Sequence, residues 1–250
     1  GVFGAHRLLA GVAEEQPDLV CVLNDPWVVA AFASKDVGRP MVGYLPISGP
    51  NIASAQALNQ LTLAIFSTSF GAEVTKTSGY TGLSTVIPHG VDRELYQPVG
   101  QGEARARLGF DTALPAGAFI VGNVNRNQPR KRLDLTIQLF AEWWASRGKP
   151  ETAYLYLHCA SQDVGYDVRQ LAAYYGIQPH LITGHDVPEA MMRFVYSVLD
   201  VQVSTTIGEG WGLTTLEGMA CRVPQVVPDW AALGDWARDA ALLVPCATTE

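Results

Sequence analysis

The amino-acid sequence predicts an α/β protein of two doubly wound units, each a parallel sheet covered by helices, with the N-terminal unit incomplete. Three observations carry that expectation. Short β-branched runs alternate with helical patterns along almost the whole chain. A stretch rich in proline and glycine, from Pro88 to about Gly117, interrupts the alternation once and reads as an interdomain connection. About four strand candidates precede it, less sheet than a mononucleotide-binding half normally carries. The expected units are 1–97 and 98–250, with ligands taken up in a cleft faced by the carboxyl ends of both sheets.

The first unit holds candidate strands at Leu19–Leu23, Met41–Leu45, Leu63–Phe66 and Ser84–Ile87. Asp25 followed by Pro26 marks a helix start, a cap residue before a proline at the first helical position. The connection contains a short charged helix, Glu103–Leu108. The second unit holds strands at Ala118–Val124, Ala153–His158, His180–Ile182, Val201–Ser204, Gln225–Val227 and Ala241–Val244. Between the first two of these, Leu133, Ile137, Phe140, Ala141 and Trp144 keep one apolar face at helical spacing, with Asp134, Gln138 and Glu142 off it.

Composition bounds the function. The chain has 250 residues, 48% of them hydrophobic and 16% charged, so it can bury a large core and is no disordered tail. Seventeen basic residues against 24 acidic ones leave a net charge of −7, which argues against a nucleic-acid partner. The longest purely apolar run, Trp27 to Ala33, falls far short of the ~20 residues a membrane span needs. No basic segment precedes an apolar one as in a secretory signal. Cys21, Cys159, Cys221 and Cys246 lack Cys-x-x-Cys spacing and read as reduced, mostly buried thiols of a cytoplasmic protein. Docking at the inner face of a membrane through a short amphipathic surface stays compatible with all of this. At roughly 150 residues per domain, the length amounts to about 1.7 domains, short of the two expected, so a segment is expected to be missing before Gly1, with the end at Glu250 a second candidate.

Two motifs carry chemistry. The denser one, Gly208-Glu209-Gly210-Trp211-Gly212-Leu213-Thr214-Thr215-Leu216-Glu217-Gly218, follows a strand and opens a helix. A glycine-rich turn there exposes amide groups and the positive end of the helix dipole to an anion. Thr215 stands where a dinucleotide fingerprint needs its third glycine. Structural alternatives exist for each side chain: Thr214 and Glu217 in a capping box, Glu209 a solvated loop carboxylate, Trp211 a core plug. Three glycines within five residues mean that a backbone or a ligand approaches closely.

The second motif is Asn123-Val124-Asn125-Arg126-Asn127-Gln128-Pro129-Arg130-Lys131-Arg132. Its three consecutive cations lie at or just inside a helix N-terminus, where the dipole disfavours each by ~0.3–1 kcal/mol. A phosphate held there explains the arrangement, with Arg126 clamping the same anion as Lys131. The alternative is a solvated basic turn with Asp134 as local partner. His6, His89, His158, His180 and His185 show no metal-ligand spacing, and Asp-x-Asp, Walker and nucleophile-elbow patterns are absent. His158 reads as a satisfied core or rim histidine. His185 follows a strand in Gly184-His185-Asp186 and faces the expected cleft, where it lines a base or sugar pocket or plays a structural part.

These strings occur in order with Ile87-Pro88-His89-Gly90-Val91-Asp92 before them and Gly218-Met219-Ala220-Cys221-Arg222-Val223-Pro224 after them. From about Pro17 onward the sequence resembles the retaining glycosyltransferases of the GT-B class, family 4, with Rossmann-type units. The resemblance implies a metal-independent transfer of a sugar from a nucleotide-diphosphate sugar to a sugar, lipid-linked or other acceptor, with retained configuration and no cofactor. It assigns the donor diphosphate to Arg126 and Lys131, the ribose hydroxyls to Glu217, and the sugar and phosphate to Glu209 with Gly210, Trp211, Gly212, Leu213 and Thr214. The first strand and glycine-rich loop of the family have no counterpart here, and Glu250 precedes its final helices. Where many members carry a histidine, this chain reads Asn24-Asp25-Pro26-Trp27, which passes contact with the transferred sugar to Asn24 or Asp25. A non-catalytic nucleotide-sugar-binding or assembly subunit, acting with a complementing chain or as a homo-oligomer, is the alternative; a nucleotide-sugar epimerase is a second.

Overall fold

A computed structural model describes residues 4–246, so Gly1 and Glu250, the two ends on which the missing-segment expectation rests, lie outside the described residues. Contacts divide the chain into two units. The first comprises 1–89 with 208–211 and 230–236; the second comprises 90–207, 212–229 and 237–250.

The first unit runs α1 (Ala5–Glu15), β1 (Val20–Leu23), α2 (Pro26–Ala33), β2 (Met41–Leu45), β3 (Leu63–Phe66), α3 (Ser69–Thr77) and β4 (Ser84–Val86). Its four strands form one parallel sheet in the order β1-β2-β3-β4. The apolar run from Trp27 to Ala33 is most of α2, which buries Val28, Val29, Ala30 and Ala33. Asp25 occupies the N-cap position of that helix, but its side chain makes no capping bond.

The second unit begins with α4 (Gln101–Leu108) and α5 (Phe110–Ala113), then alternates β5 (Phe119–Val124), α6 (Leu133–Ser146), β6 (Ala153–His158), α7 (Val168–Tyr174) and β7 (Leu181–Gly184). It continues with α8 (Met192–Ser197), β8 (Val201–Val203), α9 (Leu213–Ala220) and β9 (Gln225–Pro228) and closes with β10 (Leu242–Val244), while α10 (Ala231–Trp236) packs on α3 in the first unit. The sheet is wholly parallel in the order β10-β9-β8-β5-β6-β7. Successive strands therefore spread outward in both directions from the β5–β8 pair. That pair is the topological switch point, where open α/β sheets bind ligands beyond the carboxyl ends of their strands.

Helices cover both faces of this sheet, as a parallel sheet requires. Ile120 and Val124 point into a cluster with Tyr96, Ala104, Phe194 and Val195, whereas Val121 points to the opposite cluster with Leu133, Ile137, Leu155 and Leu157. Tyr96 and Ala104 come from the stretch Pro88–Gly117, so from Gly90 onward that stretch is built into the second unit.

All ten expected strands form, in the expected order, with no end moving by more than two residues. The seventh moves most: His180 belongs to a tight turn, Gln178–His180, whose closing bond runs from the His180 N–H to the Ile177 carbonyl at 2.9 Å. Pro179 favours that turn through its fixed φ and its missing N–H. The thiols divide evenly: Cys159 and Cys221 are buried, but Cys21 and Cys246 are exposed.

Leu155 lies fully buried in β6 at the centre of one cluster. Leu155→Ala is expected to lower the unfolding free energy by about 2–5 kcal/mol in urea titration. A change below about 1 kcal/mol contradicts this placement of the core.

Candidate functional site

The switch point of the second unit places two loops side by side: residues 125–132 after β5, and the residues that follow β8. Buried polar side chains join them. The Asn125 amide donates to Asn123 Oδ1 at 2.8 Å, and the Asn123 amide donates to Thr136 Oγ1 at 2.8 Å. Thr136 and Thr205 hydroxyls lie 2.7 Å apart. Thr205 spends its one proton on backbone carbonyls, Arg132 at 2.8 Å and Lys131 at 3.1 Å, so Thr136 is the donor between the two. The Ile207 N–H adds a bond to the Arg130 carbonyl at 3.0 Å. The backbone of the basic loop is thereby fastened to the loop that leads toward α9.

Arg130 and Lys131 sit in a tight turn, Pro129–Lys131, and Arg132 is the N-cap of α6 with φ 50°. The helix begins at Leu133, so the three cations precede it instead of lying just inside it. Asp134 pairs with Arg132, at 3.0–3.1 Å, and so leaves Arg126 and Lys131 to other partners. Arg126 pairs with Asp163, from Nε at 2.7 Å and from Nη2 at 3.3 Å. That hydrogen bond holds the Asp163 carboxyl below the usual carboxylate range and raises the guanidinium.

α9 starts at Gly212, whose φ of 93° favours glycine, and no side chain caps it. Leu213 and Thr214 form its first turn, where amides point out along the positive end of the dipole. The capping-box alternative fails for a geometric reason. Glu217 is the fifth residue of the helix, too far along to reach its N-cap, and it instead accepts from the Tyr196 hydroxyl at 2.5 Å. Burial raises the Glu217 carboxyl above its usual range, the Tyr196 hydrogen bond opposes that rise, and Glu189 adds to it. Tyr96 is pushed up to about 12, mainly by burial and then by the Glu217 charge. Beneath the helix, Gly218 lies where a Cβ would meet the Gln225 amide at 2.6 Å, and Gln202 donates to the Thr214 carbonyl at 3.1 Å.

His185 also belongs to the second unit; its Nδ1 lies 2.6 Å from the Asp186 carboxylate and its side chain is half exposed. His158 contacts the Tyr156 hydroxyl at 2.9 Å, and burial lowers its pKa.

Asn24, Asp25, Glu209, Gly210 and Trp211 belong to the first unit. Asn24 Oδ1 accepts from the Asp25 N–H at 2.9 Å. Glu209 is 8% exposed, so it is no solvated loop carboxylate. Two of the three glycines answer to backbone approach: a Cβ on Gly208 would collide with the Ser48 carbonyl, and one on Gly210 would lie 2.9 Å from Pro46 Cα. The Gly210 carbonyl accepts from Ser67 Oγ at 2.6 Å. Trp211 is the core plug of the structural alternative, stacked on Trp236 at 4.9 Å and edge-on to His89 at 5.8 Å.

Sequence reasoning missed Asp163, Thr205, Tyr96 and Tyr196. It also missed the parts played by Asn123, Asn125 and Asn127, although their spacing was visible. Three asparagines at every second position, at the end of an apolar strand, are a signal of buried polar bonding.

The fold defines a doubly wound α/β architecture, with two loops brought side by side at its switch point. Residues 117–250, just over half of the chain, match the family described as Glycosyl transferases group 1, and the chain belongs to that family. A D-inositol 3-phosphate glycosyltransferase of Segniliparus rotundus is 30% identical over 143 residues, which cover 56% of this chain and 30% of that protein. The lipopolysaccharide core biosynthesis mannosyltransferase LpcC of Rhizobium leguminosarum bv. viciae is 32% identical over 159 residues, covering 60% of this chain and 42% of that protein. Sucrose-phosphate synthase from Thermosynechococcus elongatus superposes with a TM-score of 0.78 at 19% identity, over 96% of this chain and 64% of that one. Anabaena HepE, in complex with UDP and glucose, gives 0.77 at 19% identity over 98% and 70%. The fold is that of GT-B glycosyltransferases. The chain spans about a third of the length of the D-inositol 3-phosphate glycosyltransferases it matches.

A raised Glu217 has a definite consequence. Between the ordinary carboxylate range and its raised value, the folded state binds more protons than the unfolded one, so this group's contribution to stability falls as pH rises through that window. Tyr196→Phe removes the donor that opposes the rise. Carboxyl NMR titration is expected to show the Glu217 pKa higher still in the variant; an unchanged or lower value contradicts the pairing.

Proposed function

We propose that this chain carries the donor site of a glycosyltransferase that moves a sugar from a nucleotide-diphosphate sugar to an acceptor with retained configuration and without a metal ion. The observation that carries this reading is the fastening of the basic loop 125–132 to the loop after β8 at the switch point of the second unit. Positive charge is thereby held in place before the reaction begins, beside a helix N-terminus.

In this reading Arg126 and Lys131, with the first-turn amides of α9, receive the donor diphosphate. Departure of the diphosphate leaves negative charge on its terminal oxygens, and donors fixed in advance stabilise that charge without reorganising as it develops. Glu217, held by the Tyr196 hydroxyl, accepts hydrogen bonds from the ribose hydroxyls, and it serves best when ionised. Glu209 and the Gly210–Thr214 segment hold the transferred sugar, and His185 lines the nucleoside side. Asn24 or Asp25 takes the place of the family's acceptor-side histidine. The acceptor is a sugar, a lipid-linked sugar or another hydroxyl compound. Support for a nucleotide-sugar donor comes from the family and from the UDP and glucose bound by the similar HepE structure. No helix among the described residues is long and apolar enough to cross a membrane.

Isothermal titration with UDP, GDP and ADP tests the reading, and binding of one of them is expected. Arg126→Ala and Lys131→Ala are each expected to weaken that diphosphate roughly tenfold or more while leaving the matching nucleoside unchanged, as loss of a charged hydrogen bond does. Failure of all three nucleotides to bind contradicts the donor site.

A further inference from the structure

Arg126 does not stand alone in its loop, and its partner is fixed by an unusual amount of structure for an exposed pair. The Asp163 carboxylate meets the guanidinium side-on, through Nε at 2.7 Å and Nη2 at 3.3 Å. A guanidinium has five N–H groups in one rigid plane. Side-on pairing uses the Nε–H and one Nη2–H and leaves the Nη1 pair and the second Nη2–H on the remaining edge. The Arg126 side chain is 62% exposed, so without such a partner it samples many rotamers.

The partner is itself held by the residue next to the arginine. Asn127 is fully buried and captures the backbone of the loop that carries Asp163. Its amide group donates to the Tyr166 carbonyl at 2.6 Å and to the Ala160 carbonyl at 3.3 Å, and its oxygen accepts from the Tyr166 N–H at 3.0 Å. Gly165 packs so closely that a Cβ there would lie 2.9 Å from the Asn127 backbone. Residues 160–166 are thus clamped to the turn from which Arg126 projects. One turn supplies both the cation and the clamp that locates its counter-ion.

We infer that Asp163 is a positioning residue: clamped by Asn127, it orients the Arg126 guanidinium so that the free edge meets the diphosphate of a nucleoside diphosphate. The inference rests on the donor-site reading above. It also opposes the simple Coulomb expectation. A carboxylate beside an anion site should repel the ligand, so its removal should tighten binding; the positioning role predicts the reverse.

The test is isothermal titration of the full chain with UDP, GDP and ADP and with the matching nucleosides, for wild type, Asp163→Asn, Arg126→Ala and the double variant. Asp163→Asn is expected to weaken the bound diphosphate about fivefold or more and leave the nucleoside unchanged. The double variant is expected to bind no more weakly than Arg126→Ala alone, because Asp163 acts only through the arginine. Tighter or unchanged binding by Asp163→Asn, an equal loss for the nucleoside, or additive losses in the double variant each overturn the inference. If wild type binds none of the three diphosphates, or Arg126→Ala loses nothing, the donor-site reading falls and this inference with it. A measurement that needs no altered fold is the Arg126 Nε–H resonance of the free wild-type chain, identified by its loss in Arg126→Lys. Slow exchange with solvent is expected; rapid exchange overturns the fixed pair.

Discussion

The hydroxyl of Thr205 is the constraint on which the second unit's site depends. It accepts from Thr136 on α6 and gives its proton to the carbonyls that precede that helix, Arg132 above all. Loops ordinarily gain freedom with distance from the sheet, but this one is tied down at the point where its charge is concentrated. The relay that begins at Asn125 and Asn123 runs through buried Thr136 to half-buried Thr205. Each member has a partner, and a fully satisfied buried network rigidifies the backbone around it. A partly satisfied one would cost more than an apolar replacement.

The same economy runs through the carboxylates. Glu217 is half-buried, and desolvation raises its carboxyl, which disfavours the ionised form that accepts from hydroxyl groups. The Tyr196 hydroxyl supplies a donor that favours the ionised form, while Glu189 works against it. Asp163 is in the opposite condition: an arginine holds it down, and its charge serves to aim that arginine. One fold thus uses burial to set one acid and pairing to set another.

Most of the fold was legible in the sequence because parallel strands buried on both faces are short, apolar and bounded by turn residues. Met41–Leu45, Leu63–Phe66 and Ala153–His158 needed no adjustment. The site was legible in part, since Arg126, Lys131 and Glu217 stand in local patterns whose chemistry is visible at short range. Asp163 and Tyr196 were not, because each meets its partner across a gap of 37 or 21 residues that only the sheet order closes. The glycines were legible only as a choice between two readings. Their density signalled close approach by a backbone or a ligand, and Gly208 and Gly210 admit the backbone of Ser48 and Pro46. Composition shows that something approaches closely but not whether it is ligand or chain. Nor could local pattern show that 208–211 and 230–236 would join the first unit.

The central claim is that a prefastened pair of loops at the β5–β8 switch point receives a nucleoside diphosphate. Amide hydrogen exchange, with and without saturating UDP, GDP or ADP, tests it most directly. The account predicts that residues 125–132 exchange slowly even in the free protein, and that ligand adds protection there and in the first turn of α9. Rapid exchange of 125–132 in the free protein, or ligand protection confined to β7, β9 and β10, would contradict it.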